Sequence, residues 1–308
     1  MPRVSIIIPT YNKCELTKQC LGALKKNTTD KYLGDVILVD NASTDASMEY
    51  LESVEWINLV ANKKNLGFSK ANNQGAKQAK GDVLIFLNND TEVQKGWLEP
   101  ILKIFKQERK VGIVGVKLLF PDRFIQHAGI VISADHIPRH IYYRVKSDNP
   151  YVNIQREFKA VTAACMAVSK KVFHEVGGFD EGYENGMEDT DLCHKIGEKG
   201  YRIVYCPDSV VIHYESSTSG RFDHSEGNYK LYMDKWQDIE PDEHKYYKED
   251  GWKSWKIYFH DLKSMAYNKG QYALTPTWVS LLRYPYIFLQ KTRVVLKLIV
   301  TLDFKTLY

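Results

Sequence analysis

The chain has 308 residues, 44% of them hydrophobic and 26% charged, with a formal net charge of +4. That length can bury a full core and leave room for an extension; the composition excludes a disordered chain, and so mild a charge gives no argument for a nucleic-acid partner. Five cysteines, Cys14, Cys20, Cys165, Cys193 and Cys206, include no C-x-x-C pair. An odd number, several in apolar runs, reads as buried free thiols in a reducing cytoplasm rather than a disulfide framework. The apolar run at the N-terminus is too short for a signal segment and reads as a first strand.

The elements alternate. Residues 3–8 form a β-branched strand that Pro9-Thr10-Tyr11-Asn12 stops, and 15–26 carry Leu16, Cys20, Leu21 and Leu24 at helical spacing. A second buried strand, 35–40, ends in Asp40; the cap-rich Asn41-Ala42-Ser43-Thr44-Asp45 precedes a helix over about 46–53, and 56–60 is a third strand. Asn65-Leu66-Gly67-Phe68 is a turn, with Ser69 as the cap of a helix over about 70–79. Residues 83–87 are an apolar strand that ends abruptly in Asn88-Asn89-Asp90. This β-α-β-α-β-α-β order implies a parallel sheet with helices on both faces, and its polar strand ends converge on one sheet edge, where such sheets bind ligands.

The second half is less regular. It reads as a helix over 97–105, a strand over 111–116, an irregular stretch with His127, His136, His140 and Arg144, and a buried strand over 161–168. A helix over 169–176 ends at Gly177-Gly178. Another begins at Glu188-Asp189-Thr190-Asp191, pairs Leu192 with Ile196 on one face and stops at Gly200; short strands over 201–206 and 210–213 follow.

Four features can carry chemistry. Asp40 can accept from a base imide or from ribose hydroxyls, or can be a simple strand-end turn residue. No G-x-G-x-x-G follows the first strand, and no G-x-x-x-x-G-K-[ST] is present. Asn88-Asn89-Asp90 can offer a carboxylate to Mg2+ or Mn2+, which would take further ligands from a diphosphate. Glu188, Asp189 and Asp191 crowd a helix N-terminus, which the helix dipole alone would favour; mutual repulsion would also make one of them a better general base. His213 ends a strand and can complement a single aspartate at a metal.

Together these residues resemble the inverting glycosyltransferases of family 2, in order over about residues 3–220, with a motif set closest to the rhamnosyltransferase-like branch. Val4 to Asn12 resembles the family's opening strand and base-binding loop. Val39-Asp40-Asn41-Ala42-Ser43-Thr44-Asp45 resembles its nucleoside aspartate segment. Asn65-Leu66-Gly67-Phe68 and Ala71-Asn72-Asn73-Gln74-Gly75 are similar to its donor-lining stretch. Phe86-Leu87-Asn88-Asn89-Asp90 looks like a D-x-D motif whose first acid is asparagine, a change found in that branch, and Gln126-His127-Ala128-Gly129 resembles the same branch. Gly177-Gly178-Phe179-Asp180-Glu181 followed by Glu188-Asp189 is similar to the catalytic E-D segment.

The resemblance implies a GT-A fold: a Rossmann-like, mostly parallel α/β sheet flanked by helices, with a helical C-terminal extension. It implies a single-step displacement with inversion at the sugar C1. Asp189 would be the base, with Glu188 beside it. Pro9, Thr10, Tyr11, Asp40, Asn41, Asn65, Gly67, Asn72, Asn88 and Asn89 would bind the donor, Asp90 and His213 a divalent Mg2+ or Mn2+, and His127 and Asp191 would face the acceptor. The donor would be dTDP-rhamnose or a UDP-sugar, and the acceptor a glycan or lipid-linked hydroxyl in cell-surface polysaccharide synthesis. The competing readings are a nucleotidyltransferase, which would normally show a Gly-rich basic loop after the first strand, and a non-catalytic sugar-nucleotide-binding subunit.

The expected domains are a catalytic unit over 1–215, divided near 95 into nucleotide-sugar and acceptor halves, and an extension over 216–308. Residues 278–308 carry Arg283, Lys291, Arg293, Lys297 and Lys305 against Asp303, a net charge equal to that of the whole chain. Internal charges argue against a membrane span over 278–302. A basic amphipathic helix on the inner face of the cell membrane is expected, or one that packs on the protein or on a second subunit of a homodimer.

Overall fold

The computed structural model describes residues 2–133, 136–215 and 224–252. In chain order the first half runs β1 (Val4–Thr10), α1 (Cys14–Asn27), β2 (Leu33–Asp40), α2 (Ser47–Glu52), β3 (Asn58–Ala61), α3 (Gly67–Gln78) and β4 (Val83–Leu87). The second half begins with β5 (Thr91–Val93), α4 (Leu98–Gln107), β6 (Val111–Leu119), β7 (Ile125–His127), β8 (Ile130–Ile132) and β9 (Pro138–His140). A 3-10 turn at Pro150–Asn153 leads to β10 (Arg156–Glu157), β11 (Cys165–Ser169), α5 (Lys170–Glu175), α6 (Glu188–Glu198) and β12 (Arg202–His213). Two more helices, α7 (Ser225–Trp236) and α8 (Glu243–Glu249), complete the described elements.

The central sheet has the order β10-β12-β6-β11-β4-β1-β2-β3, with β5 added on β12 and β7 on β6. The pairs β1–β2, β1–β4, β2–β3 and β6–β12 are parallel, while β11 is antiparallel to both of its neighbours, β4 and β6. This is the mostly parallel α/β architecture that the motifs implied. Because both faces are covered, the strands read as continuous apolar runs. Ile6, Ile8, Val36, Leu38, Ile85 and Leu87 turn to one face, with α1 and α4 residues such as Leu21, Leu24, Ile101 and Leu102. Ile7, Ile37, Val39, Leu84 and Phe86 turn to the other, with Ala71, Ala76, Phe173, Phe179, Leu192 and Ile196.

On that second face α3 lies close to the sheet because Gly75 has no side chain: a Cβ there would sit 2.5 Å from Ile7 Cγ2 and 3.4 Å from Val39 Cγ2. Gly75→Ala must push the helix off β1 and should lower stability by about 1–3 kcal/mol. Urea denaturation checks this, and an unchanged midpoint at equal slope would show that α3 has room to move.

Several sequence expectations change here. Residues 161–164 are not strand; the strand begins at Cys165. The two short strands over 201–206 and 210–213 are one strand, β12, whose register against β6 slips between Cys206 and Val210, so Pro207 sits in a bulge rather than a gap. Helix α3 starts at Gly67 because Asn65 Oδ1 accepts from the Gly67 N–H at 2.9 Å. Ser69 is therefore buried inside the helix and is not its cap.

The domain boundary also moves. The first compact unit runs Met1–Glu243 and the second begins at His244. Helix α7, assigned from sequence to the extension, belongs to the first unit: Lys235 and Trp236 both donate to Asp191 on α6. In the second unit the rings of Tyr247 and Trp252 pack 4.9 Å apart. The basic segment over 278–308 lies outside the described residues. Among the described residues no helix is long and apolar enough to cross a membrane.

Candidate active site

The register of the parallel strands sets the site. Thr10 at the end of β1 pairs with Asp40 at the end of β2. On the other side of β1, Asn89 Nδ2 donates to Thr10 Oγ1 at 3.1 Å and to Thr17 Oγ1 at 2.9 Å. Asp40, Thr10 and the Asn88-Asn89-Asp90 loop thus line one sheet edge, as expected for parallel strands. The Asp40 carboxylate is buried and accepts from the Ser43 N–H and hydroxyl, which folds its own loop back. A carboxylate has about four lone-pair positions, so acceptor capacity remains beyond these two bonds.

Other proposed donor residues shape this edge. Asn41 holds the neighbouring turn: its Oδ1 accepts from Asn62 Nδ2 at 3.0 Å, and its Nδ2 donates to the Gly67 carbonyl at 3.3 Å. Asn12 Oδ1 accepts from the Thr44 N–H at 2.7 Å, fixing the loop that displays the exposed ring of Tyr11 beside half-buried Pro9. Asn72 does not join them. It is fully enclosed in α3, where its Nδ2 bonds back to the Phe68 carbonyl at 3.0 Å. The donor role read for it from sequence is not what this placement offers.

A short backbone bridge connects the edge to the acidic helix. The Asn88 N–H donates to the Ala164 carbonyl at 2.9 Å, and the Ala163 N–H donates to Asp189 Oδ2 at 3.1 Å. The loop before β11 thus spans from the end of β4 to the first turn of α6. Asp189 Oδ1 accepts from the Thr190 N–H at 2.8 Å, so the carboxylate is oriented at both oxygens while the residue stays partly exposed.

Its neighbours differ. Glu188 is buried and takes the Gly186 N–H. Asp191 is wholly enclosed: Oδ1 accepts from Lys235 Nζ and Trp236 Nε1, each at 2.9 Å, and Oδ2 lies 3.3 Å from Lys195 Nζ. The crowding expected from sequence is therefore answered at Asp191 by two ammonium groups, and the acceptor role read for Asp191 is corrected to that of an anchor for α7. Next to it, burial pushes the His194 imidazole down to about 4, with Tyr232 Oη 3.0 Å from Nε2.

His127, also expected to face an acceptor, is completely buried; its Nδ1 lies 3.3 Å from His140 Nδ1. Burial first, and His140 second, hold its imidazole well below the usual histidine range. It is a core residue, and its acceptor assignment is corrected.

The proposed metal pair does meet. β5 pairs antiparallel with the end of β12, with His213 opposite Thr91, and His213 Nε2 lies 3.1 Å from Asp90 Oδ1. Both side chains are nearly buried. His213 Nδ1 lies 2.7 Å from Gln126 Oε1. With Nδ1 facing an acceptor oxygen, Nε2 is the nitrogen turned to the carboxylate, an arrangement suited to a cation held by both groups. Among the described residues no cluster of three or more His, Cys, Asp or Glu side chains could hold an ion, so a cation here needs ligands from a bound diphosphate or water. Gln126 was visible in the sequence only as part of a motif, and the Ala163–Ala164 bridge gave no sequence signal because it acts through backbone atoms.

Comparisons with known proteins bear on the family and the fold. The profile of the family described as "Glycosyl transferase family 2" matches residues 5–177, and one described as "N-terminal domain of galactosyltransferase" matches 144–218. The O-antigen biosynthesis protein RfbC of Myxococcus xanthus is 33% identical over 228 residues, covering 70% of this chain and 18% of that protein. An N-acetylglucosaminyl-diphospho-decaprenol L-rhamnosyltransferase of Mycobacterium tuberculosis is 26% identical over 239 residues, covering 70% of this chain and 77% of that one. The chain spans only 18%, 25% and 38% of three of the curated relatives it matches.

Among solved structures, GalNAc-T7 with UDP, GalNAc and Mn2+ superposes with a TM-score of 0.62 at 18% identity, over 90% of this chain and 59% of that one. A mannosyltransferase of Pyrobaculum calidifontis with GDP-Man and Mn2+ gives 0.56 at 20% identity, over 78% and 66%. At such identities the likeness is one of fold, and that fold is GT-A.

Proposed function

Because this chain belongs to glycosyltransferase family 2, we propose that it moves a sugar from a nucleoside diphosphate to an acceptor hydroxyl in one step, with inversion at C1 and Asp189 as the general base. The observation that carries this reading is the bridge from Asn88 through Ala164 and Ala163 to the Asp189 carboxylate. It holds a partly exposed carboxylate at a fixed place relative to the strand edge where the donor diphosphate would lie. Positioning of this kind supplies much of a displacement reaction's acceleration.

In this reading Tyr11 offers a ring face to the base, and Asp40 and Asn41 hold the nucleoside edge. Asp90 and His213 would hold Mg2+ or Mn2+; that cation would offset charge developing on the leaving diphosphate. A mixed carboxylate and imidazole pair favours Mn2+ over the strictly oxygen-seeking Mg2+. Asp189 takes the proton of the attacking hydroxyl, with its geometry kept by the Ala163 and Thr190 N–H groups.

The relatives support a sugar donor of the dTDP-rhamnose or UDP-sugar class and a glycan or lipid-linked acceptor of the cell envelope; the rhamnosyltransferase named above favours dTDP-rhamnose. A place on the inner membrane face belongs with that acceptor class. A thermal-shift series with dTDP-rhamnose, UDP-glucose, UDP-GalNAc and GDP-mannose, each with and without Mn2+, tests the donor. At ligand near a hundred times Kd, one nucleotide should stabilise the protein by about 2.7 kcal/mol, and more with Mn2+ than without. No shift with any of the four would sink the donor assignment.

A further inference from the structure

We propose that Gln126 is a positioning residue for His213: it fixes the ring proton on Nδ1, so that Nε2 is aimed at a divalent cation shared with Asp90. The proposal rests on the cation reading given above and adds the group that makes the histidine a ligand.

The argument starts from donors and acceptors. Gln126 is buried on β7, and its side-chain amide touches two partners. Its Nε2 donates to Glu215 Oε2 at 3.2 Å, and its Oε1 lies 2.7 Å from His213 Nδ1. An ionised carboxylate only accepts, so the amide's NH2 end belongs on Glu215 and its oxygen on the ring. An amide oxygen also only accepts, so Nδ1 carries the proton. The remaining ring nitrogen, Nε2, lies 3.1 Å from Asp90 Oδ1; that oxygen also only accepts, so a proton or a cation must stand between the two, and the cation would take the proton's place. A metal-ligating histidine typically donates its other N–H to an oxygen acceptor, which sets the tautomer and the ring angle. Gln126 supplies such an acceptor without adding a charge beside Asp90.

The backbone under Gln126 is also held. His140 Nδ1 lies 3.1 Å from the Gln126 carbonyl, and His127 pairs with Leu118 of β6. Glu215, Gln126, His213 and Asp90 thus form one chain of contacts from β7 across the end of β12 to the loop after β4. The first three come from the chain's second half and the fourth from its first.

The test uses the full chain with 15N-labelled histidine, free of metal, with the His213 ring assigned by comparison with His213→Ala. The wild-type ring should show a protonated Nδ1. Gln126→Leu should lose that pattern, and its affinity for Mn2+ alone, read from the free-ion electron paramagnetic signal, should fall about 10–100-fold. Gln126→Glu restores an acceptor oxygen and should recover the protonated Nδ1 and most of the Mn2+ affinity. A merely structural role would not separate the two variants in this way. An unchanged ring pattern and unchanged Mn2+ affinity in Gln126→Leu would overturn the proposal. If wild type and His213→Ala bind Mn2+ equally, the cation reading itself fails. The ring pattern of Gln126→Leu then decides alone: unchanged, it overturns the tautomer assignment; altered, it upholds it.

Discussion

Asp189→Asn should lower the transfer rate by about 10²–10⁴, the usual contribution of a positioned general base, which is about 3–5 kcal/mol of barrier at 1.36 kcal/mol per tenfold. The substitution keeps the shape of the side chain and one acceptor oxygen. It turns an NH2 toward either the Ala163 or the Thr190 N–H, both of which now donate to the carboxylate. One hydrogen bond of about 1 kcal/mol is then at stake in folding, far less than the expected kinetic loss. Nucleotide affinity should stay close to wild type, because the donor edge over Thr10, Asp40 and Asn89 is built independently of α6. Rates measured at saturating donor, with binding followed by calorimetry, separate the two effects. Transfer at the wild-type rate would place the base elsewhere.

Asp191→Ala should have the larger effect on stability, about 3 kcal/mol, the lower end of what breaking a buried ion pair costs. The lower end applies because the ammonium groups facing it are only partly enclosed: the Lys235 side chain is 29% exposed and that of Lys195 23%, against 0% for Asp191. The indole N–H of Trp236 has no such escape and loses its acceptor. Lys235→Met leaves Asp191 with Lys195, Trp236 and the Tyr183 hydroxyl and also removes the partly exposed pair with Asp180, so it should cost about 2 kcal/mol, about 1.5 for a hydrogen bond to a charged group and about 0.5 for the surface pair. Urea unfolding of both variants tests the order. A cost for Asp191→Ala below that of Lys235→Met would show that the network is held mainly from the lysine side.

The first half of the fold was legible because each of its features is local. Strand 83–87 is present with those bounds, and the alternation of strand and helix dictates parallel pairing. The insertion of β11 between β4 and β6, antiparallel to both, was not legible: nothing in the apolar run around Cys165-Met166-Ala167 encodes which strands flank it. The same limit divides the site. The places of Asp40 and Asp90 at strand ends and of Asp189 at a helix start could be read from the apolar runs and motif order. Reading Asp191 and His127 required their surroundings, since an acid on a helix's first turn looks alike whether it faces solvent or Lys235 and Trp236. Lys235 itself sits in a stretch whose weak periodicity gave no reason to join it to the catalytic unit.

The pairing of β5 with the end of β12 has a consequence for how the protein is made. As the chain leaves the ribosome, the strands bearing Thr10, Asp40 and Asp90 come first, and His213 comes only with the last strand of the sheet. Domains generally fold as units, and β1 to β12 lie in one compact unit, so the sheet edge is completed only once that whole stretch has emerged. Completion of β12, the last strand among the described residues, sets when His213 can reach Asp90.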